Sequence, residues 1–96
     1  MTELEEEVRD GGKARQVLEN EIFQRAVKTL EEAFLVGIRQ SAFKDEKLRE
    51  KLCQRLALLH DLVGQIQTVM ETGQMAAEQI EQKTLAERVK GFLNGT

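Results

Sequence analysis

Phe23, Val27, Leu30 and Phe34 recur at spacings of four, three and four. That is the signature of one apolar stripe on an α-helix, and it predicts a first helix over about 13–40. Ile22, Ala26, Ala33 and Ile38 widen the stripe, while Glu19, Glu21, Arg25, Lys28, Glu31 and Glu32 supply polar surface. Gly37 lies on the stripe. A glycine there costs about 1 kcal/mol of helix propensity relative to alanine, so it predicts a close helix–helix approach. Farther on, Leu52, Leu56, Leu59, Val63, Ile66 and Met70 step by four, three, four, three and four, a heptad-like seam predicting a second helix over about 46–71. Beside it runs a second stripe, Leu58, Leu62 and Val69, with Leu48, Cys53 and Ala57 adding apolar surface.

The connection at 41–45 is short, which makes its flanking helices antiparallel neighbours. Asp45 is placed to cap the second helix, and Phe43 to pack ahead of that cap as a hydrophobic staple. Thr72-Gly73 interrupts the pattern. Threonine is an N-cap residue and glycine permits left-handed backbone, so the pair predicts a boundary before a shorter third helix over about 74–92, with Gly95-Thr96 beyond its end. Residues 1–12 carry little to anchor them and are expected to form an acidic, mobile leader, with 13–96 a single helical domain. The expectation is an all-α fold: a long antiparallel hairpin plus a shorter third helix. One partner helix needs only one stripe, so the extra one calls for the third helix or a neighbouring subunit. The chain is therefore expected to form a homo-oligomer.

Composition agrees with that expectation. In 96 residues there is no proline, tryptophan or tyrosine, and four phenylalanines supply all the aromatic bulk. A chain this short buries only about 60–65% of its unfolded surface, which favours pairing with copies of itself. The net charge is −3, and the first ten residues alone hold −4. No strongly basic surface marks a nucleic-acid binder, although Lys44, Lys47, Arg49, Lys51 and Arg55 form a local basic run that could contact phosphates. Asp45, Glu46 and Glu50 dilute it, so a solvated helix face is the preferred reading. The absence of a long apolar run argues against a membrane span and an acidic start against a signal peptide; together with a lone cysteine, Cys53, they point to the cytosol.

Candidate chemistry is sparse. His60 precedes Asp61, but consecutive helical residues point about 100° apart, so Asp61 does not orient the imidazole. His60 reads as a polar residue at the rim of the leucine-rich surface. Cys53 and His60 lie two turns apart, roughly 10 Å, too far to share one zinc ion. Cys53 beside the seam reads as a buried structural thiol. Glu31-Glu32 and Asp45-Glu46 lack an apolar pocket to separate their titrations. There is no phosphate loop or nucleophile elbow. No catalytic, metal or cofactor site is assigned, and the chain is expected not to be an enzyme. A helix-turn-helix centred on Thr72-Gly73 is the sharper rival, with Gln74, Gln79 and Gln82 able to read bases. Glu78, Glu81 and Glu87 would meet the phosphates with the wrong sign.

The motifs Asn20-Glu-Ile-Phe23-Gln-Arg-Ala26, the run from Leu30 to Phe34, the connection Ser41 to Asp45, Arg49-Glu50-Lys-Leu52 and Val69-Met-Glu71-Thr72-Gly73-Gln-Met-Ala76 follow in order. Over residues 16–80 this resembles a group of short helical proteins encoded by tailed bacteriophages and prophages. Those proteins often carry proline after the asparagine and in the connection, and a tryptophan; here Glu21 follows Asn20 and neither residue occurs. The resemblance implies a phage setting, in the cytoplasm of a bacterial host cell or associated with the virion. The expected hairpin is also similar to the oligomerisation core of small terminase subunits, the ring-forming DNA-packaging adaptors, whose separate DNA-binding domain finds no room in this length. The expected function is a non-enzymatic assembly or packaging adaptor. The alternatives are a small regulator that binds a host protein and, third, a DNA-binding regulator. Neither a small-molecule substrate nor a membrane is expected as a partner.

Overall fold

The computed structural model describes residues 2–94 and consists there of three helices without strands: α1 (Glu3–Glu19), α2 (Glu21–Gln40) and α3 (Glu46–Leu93). Each start is fixed by a short polar side chain accepting from a backbone N–H, which satisfies one of the orphan donors of a helix N-terminus. Thr2 Oγ1 accepts from Glu5 at 3.1 Å, Asn20 Oδ1 from Phe23 at 2.9 Å and Asp45 Oδ1 from Leu48 at 3.2 Å. Glu3, Glu5 and Glu6 lie in the first turn of α1, where the helix dipole favours negative charge.

The two arms are antiparallel. Gly11 of α1 meets Gly73 of α3, Glu31 of α2 meets His60, and Gly37 meets Leu52, so one arm ascends as the other descends. The arm α1–α2 is broken at Asn20, and α3 is the continuous arm. Its 48 residues measure about 72 Å at 1.5 Å each, close to the 78 Å length of the whole molecule. The other dimensions are 24 and 20 Å. Because α1 begins beside residues near 80, the segment 81–93 of α3 runs on past it, exposed throughout.

Several boundaries differ from the sequence expectation, each for a local reason. The expected helix 13–40 is two helices, because Asn20 takes an extended backbone (φ −67°, ψ 123°) that ends α1 and caps α2. Gln24 Nε2 reaches back to the Leu18 carbonyl at 2.7 Å and satisfies a carbonyl at the end of α1. Replacing Asn20 by alanine should therefore cost about 0.5–2 kcal/mol, read by chemical denaturation. Residues 3–12 of the expected mobile leader are helical and belong to α1; Met1 lies outside the described residues, as do Gly95 and Thr96 after the last helix. Thr72-Gly73 is no boundary, and the helices expected over 46–71 and 74–92 are one helix. Gly73 has no left-handed φ, and its missing side chain makes room for the backbone of α1 instead. The helix-turn-helix reading falls with that turn. The shorter element is thus α1, at the beginning of the chain.

Packing is thin. Ala14, Leu59 and Ala76 are the buried apolar residues, joined by Gly11 and Gly73, and Leu59 is the one large side chain among them. Leu52, Leu56, Val63, Ile66 and Met70 of α3 are half-buried, as are Phe23, Val27 and Phe34 of α2. The seam residues therefore hold the two arms of one chain together. The α1–α3 contact works by absence: a Cβ on Gly11 would stand 2.7 Å from Gly73 Cα. At Gly37 a Cβ would stand 2.9 Å from Leu52 Cδ1, so this glycine makes room for a leucine side chain. Phe43 does not staple the Asp45 cap, being 91% exposed. Arg49 closes the loop by donating to the carbonyls of Ala42 and Phe43 at 2.7 and 3.2 Å. The radius of gyration is 21.6 Å, against about 12–13 Å for a globular domain of this length. An elongated body with so small a core leaves much of its apolar surface open.

Candidate functional site

The two flanks of the hairpin differ in chemistry, and helical phase decides which residues share a flank. Residues advance about 100° per position on a right-handed helix. In an antiparallel pair, side chains rotated in the same sense from the two facing seams lie on the same side of the pair. Two observations anchor the assignment. Glu31 and His60 each stand eight residues beyond a seam residue, Phe23 and Leu52, and they meet at 2.8 Å. On the opposite side, Asp10, Ala14 and Val17 of α1 line one shallow depression with Ile66 and Val69 of α3.

The flank of Glu31 and His60 is polar. Cys53 lies on this side too and is exposed, not a buried thiol as expected. His60 is a rim residue, but its partner is Glu31 from the other arm and not the adjacent Asp61. The missing sequence signal was the register between the arms. An exposed pair of this kind is worth at most about 1 kcal/mol. It marks the register of α2 against α3.

The other flank is apolar in its middle. On α3, Leu58, Leu62 and Val69 follow at four and seven and are 69%, 54% and 41% exposed. On α2, Ile22, Ala26 and Ala33 occupy the same side, also exposed, and Val17 continues it on α1. The second stripe seen in the sequence is thus left exposed by the three helices of the described residues. Of the residues expected to pack, Leu62 and Leu30 are the two that stay open to solvent. A separate apolar stripe, Leu85, Val89 and Leu93, marks the projecting end of α3, with Phe92 beside it.

The basic run does not act as a unit. Lys44 lies in the loop, Arg49 is engaged with the loop carbonyls, and Lys47, Lys51 and Arg55 continue the Leu58–Leu62–Val69 stripe toward the loop. Among the described residues no ion pair engages these three, and no group of three or more His, Cys, Asp or Glu side chains is placed to hold a metal ion. No helix of the described residues is long and apolar enough to cross a membrane. Compared with protein-family models, curated proteins and solved structures, the chain has no match in any of the three.

Proposed function

We propose that this chain is a non-enzymatic helical adaptor that works by covering its apolar flank with other protein. The observation that carries the reading is the imbalance between core and surface. One large apolar side chain is buried within the described hairpin, while Leu58, Leu62 and Val69 of α3 and Ile22 of α2 are exposed on one flank. Burying such a side chain yields about 1.5–3 kcal/mol, so a partner over this flank would add stability comparable to the internal core. The setting comes from the sequence resemblance: assembly or DNA packaging in a tailed phage or prophage, with a hairpin as the contact element. Quantitative mass spectrometry of particles and assembly intermediates, purified from induced cells that encode the chain, tests this. A fixed copy number per particle is expected. Absence from both particles and intermediates overturns the assembly role.

A second reading is favoured by the projecting end of α3. Leu85, Val89 and Leu93 form a stripe outside the hairpin contact, the form in which a helix is presented to a groove on another protein. A small regulator that binds a host protein would use this end. Deletion of 82–96 leaves the hairpin's internal contacts in place. Under the regulatory reading that deletion abolishes function; under the adaptor reading, particle incorporation survives it. DNA contact is the third reading, resting on Lys47, Lys51 and Arg55 alone.

A further inference from the structure

We infer that the occupant of the apolar flank is a second copy of this chain, packed antiparallel to the first about a two-fold axis beside Leu62; this rests on the adaptor reading and names its partner. The argument is charge complementarity along one flank. On α3, Lys47, Lys51, Arg55, Leu58, Leu62 and Val69 follow at four, four, three, four and seven, one stripe that is basic at the loop end and apolar in the middle. On α1, Glu3, Glu6, Asp10, Lys13 and Val17 follow at three, four, three and four, one stripe with three acids at the open end that passes Lys13 and joins the same apolar middle. Glu46 and Glu50, which dilute the basic run in the sequence, lie off its stripe. From one end of the hairpin to the other the flank therefore carries three acids, then Lys13 and the apolar middle, then three bases.

A pattern of that kind is complementary to itself when inverted. Because Gly11 lies beside Gly73, the acids of α1 stand level with positions about 74–81 of α3. The basic side chains stand at 47–55. The midpoint between the two charged ends falls near position 64, and the midpoint between Leu58 and Val69 falls at the same place. One two-fold axis there brings Leu58 of each copy to Val69 of the other. The same operation brings each acidic end to the other copy's basic end, an isologous interface. Within one chain the two ends are about 40 Å apart, beyond direct interaction, so any coupling between them is intermolecular. The flank extends over some 30 residues of rise, roughly 45 Å, on a body about 20 Å wide. That gives several hundred Å² per copy, the order of a standard interface at about 800 Å² per partner.

Sedimentation equilibrium of the full chain at micromolar concentration and low salt tests the inference, with circular dichroism as the check on folding. The native chain is expected at twice its 10.9 kDa mass. Leu62→Glu, at an exposed position, is expected to be monomeric with unchanged helicity. Charge reversal of the basic set (K47E, K51E, R55E) is expected to weaken the dimer by about tenfold or more, and reversal of the acidic pair (E6K, D10K) to do the same. Mixing the two reversed chains restores association, because each then offers what the other lacks. A monomeric native chain, a dimer indifferent to Leu62→Glu, or reversed chains that fail to rescue each other overturns the proposal. A monomer still found in particles would sink the second copy alone, whereas a dimer absent from particles and intermediates would sink the assembly role alone.

Discussion

Gly73→Val is expected to detach α1 from the hairpin. The new Cβ would stand 2.7 Å from Gly11 Cα and 2.8 Å from the Glu7 carbonyl oxygen, both backbone atoms of α1. A flexible side chain could swing aside; a helix backbone moves only as a body. The arms must separate locally, and Ala14 and Ala76, buried at the same crossing, lose their contacts with them. Overpacking a fitted site costs about 1–3 kcal/mol, and glycine's poor helix propensity returns less than about 1 kcal/mol of that. Since Gly11 and Ala14 of α1 are buried at this crossing, the cost falls on its docking. Circular dichroism should lose helical signal equivalent to much of α1, 17 residues, while α2 and the facing part of α3 stay paired. Gly64→Ala is the internal control. It sits in the same helix with open space around the new methyl, so a gain of about 0.5–1 kcal/mol is expected. Two glycines in one helix should thus respond with opposite signs. Equal stability of Gly73→Val and the native chain in urea would remove the Gly11–Gly73 contact from the account.

That contact also explains what the sequence could not reveal. Hydrophobic periodicity finds helices held by large side chains, and it found the Leu52–Met70 seam and the Phe23–Phe34 stripe that faces it. The Asp45 cap was legible for the same reason, a local signal beside a strong pattern. The α1–α3 crossing is made by residues with almost no side chain, Gly11 and Ala14 against Gly73 and Ala76. In a one-dimensional reading two glycines in twelve residues suggest a loose leader, and Thr72-Gly73 suggests a turn. Only the partner across the interface turns those glycines from breakers into contacts. The break at Asn20 was hidden differently, since an asparagine in a polar stretch is tolerated within a helix and declares itself a cap only through its backbone.

The candidate surface was half legible. Leu58, Leu62 and Val69 stood out as a stripe in excess of what one partner helix covers, and the structure leaves it open. The acidic stripe Glu3, Glu6 and Asp10 had no meaning until α1 was a helix with a known face. The basic run looked diluted until phase separated Lys47, Lys51 and Arg55 from Arg49, Glu46 and Glu50. Spacing carries this information, but only once the register of the two arms is fixed.

Leu59→Glu is expected to open the hairpin at its middle. Leu59 is the one large apolar side chain that reaches burial, at 9% exposure, and it belongs to the seam between α2 and α3. Truncating a buried leucine to alanine costs about 2–5 kcal/mol, and a carboxylate in the same place adds the cost of a buried charge with no partner. Small domains hold only about 5–15 kcal/mol in total, and a chain with this little core belongs at the lower end. The substitution therefore removes most or all of the net stability. The expected result is loss of the cooperative unfolding transition, with residual, non-cooperative helicity in α3. Leu62→Glu, three residues on and solvent-exposed, should keep a cooperative transition, moved to lower urea only by the loss of the second copy. The pair separates the two roles that a leucine can take on this helix: Leu59 closes the chain on itself, and Leu62 offers it to another. A Leu59→Glu chain that unfolds at the native urea midpoint would mean that the arms are not held by their seam.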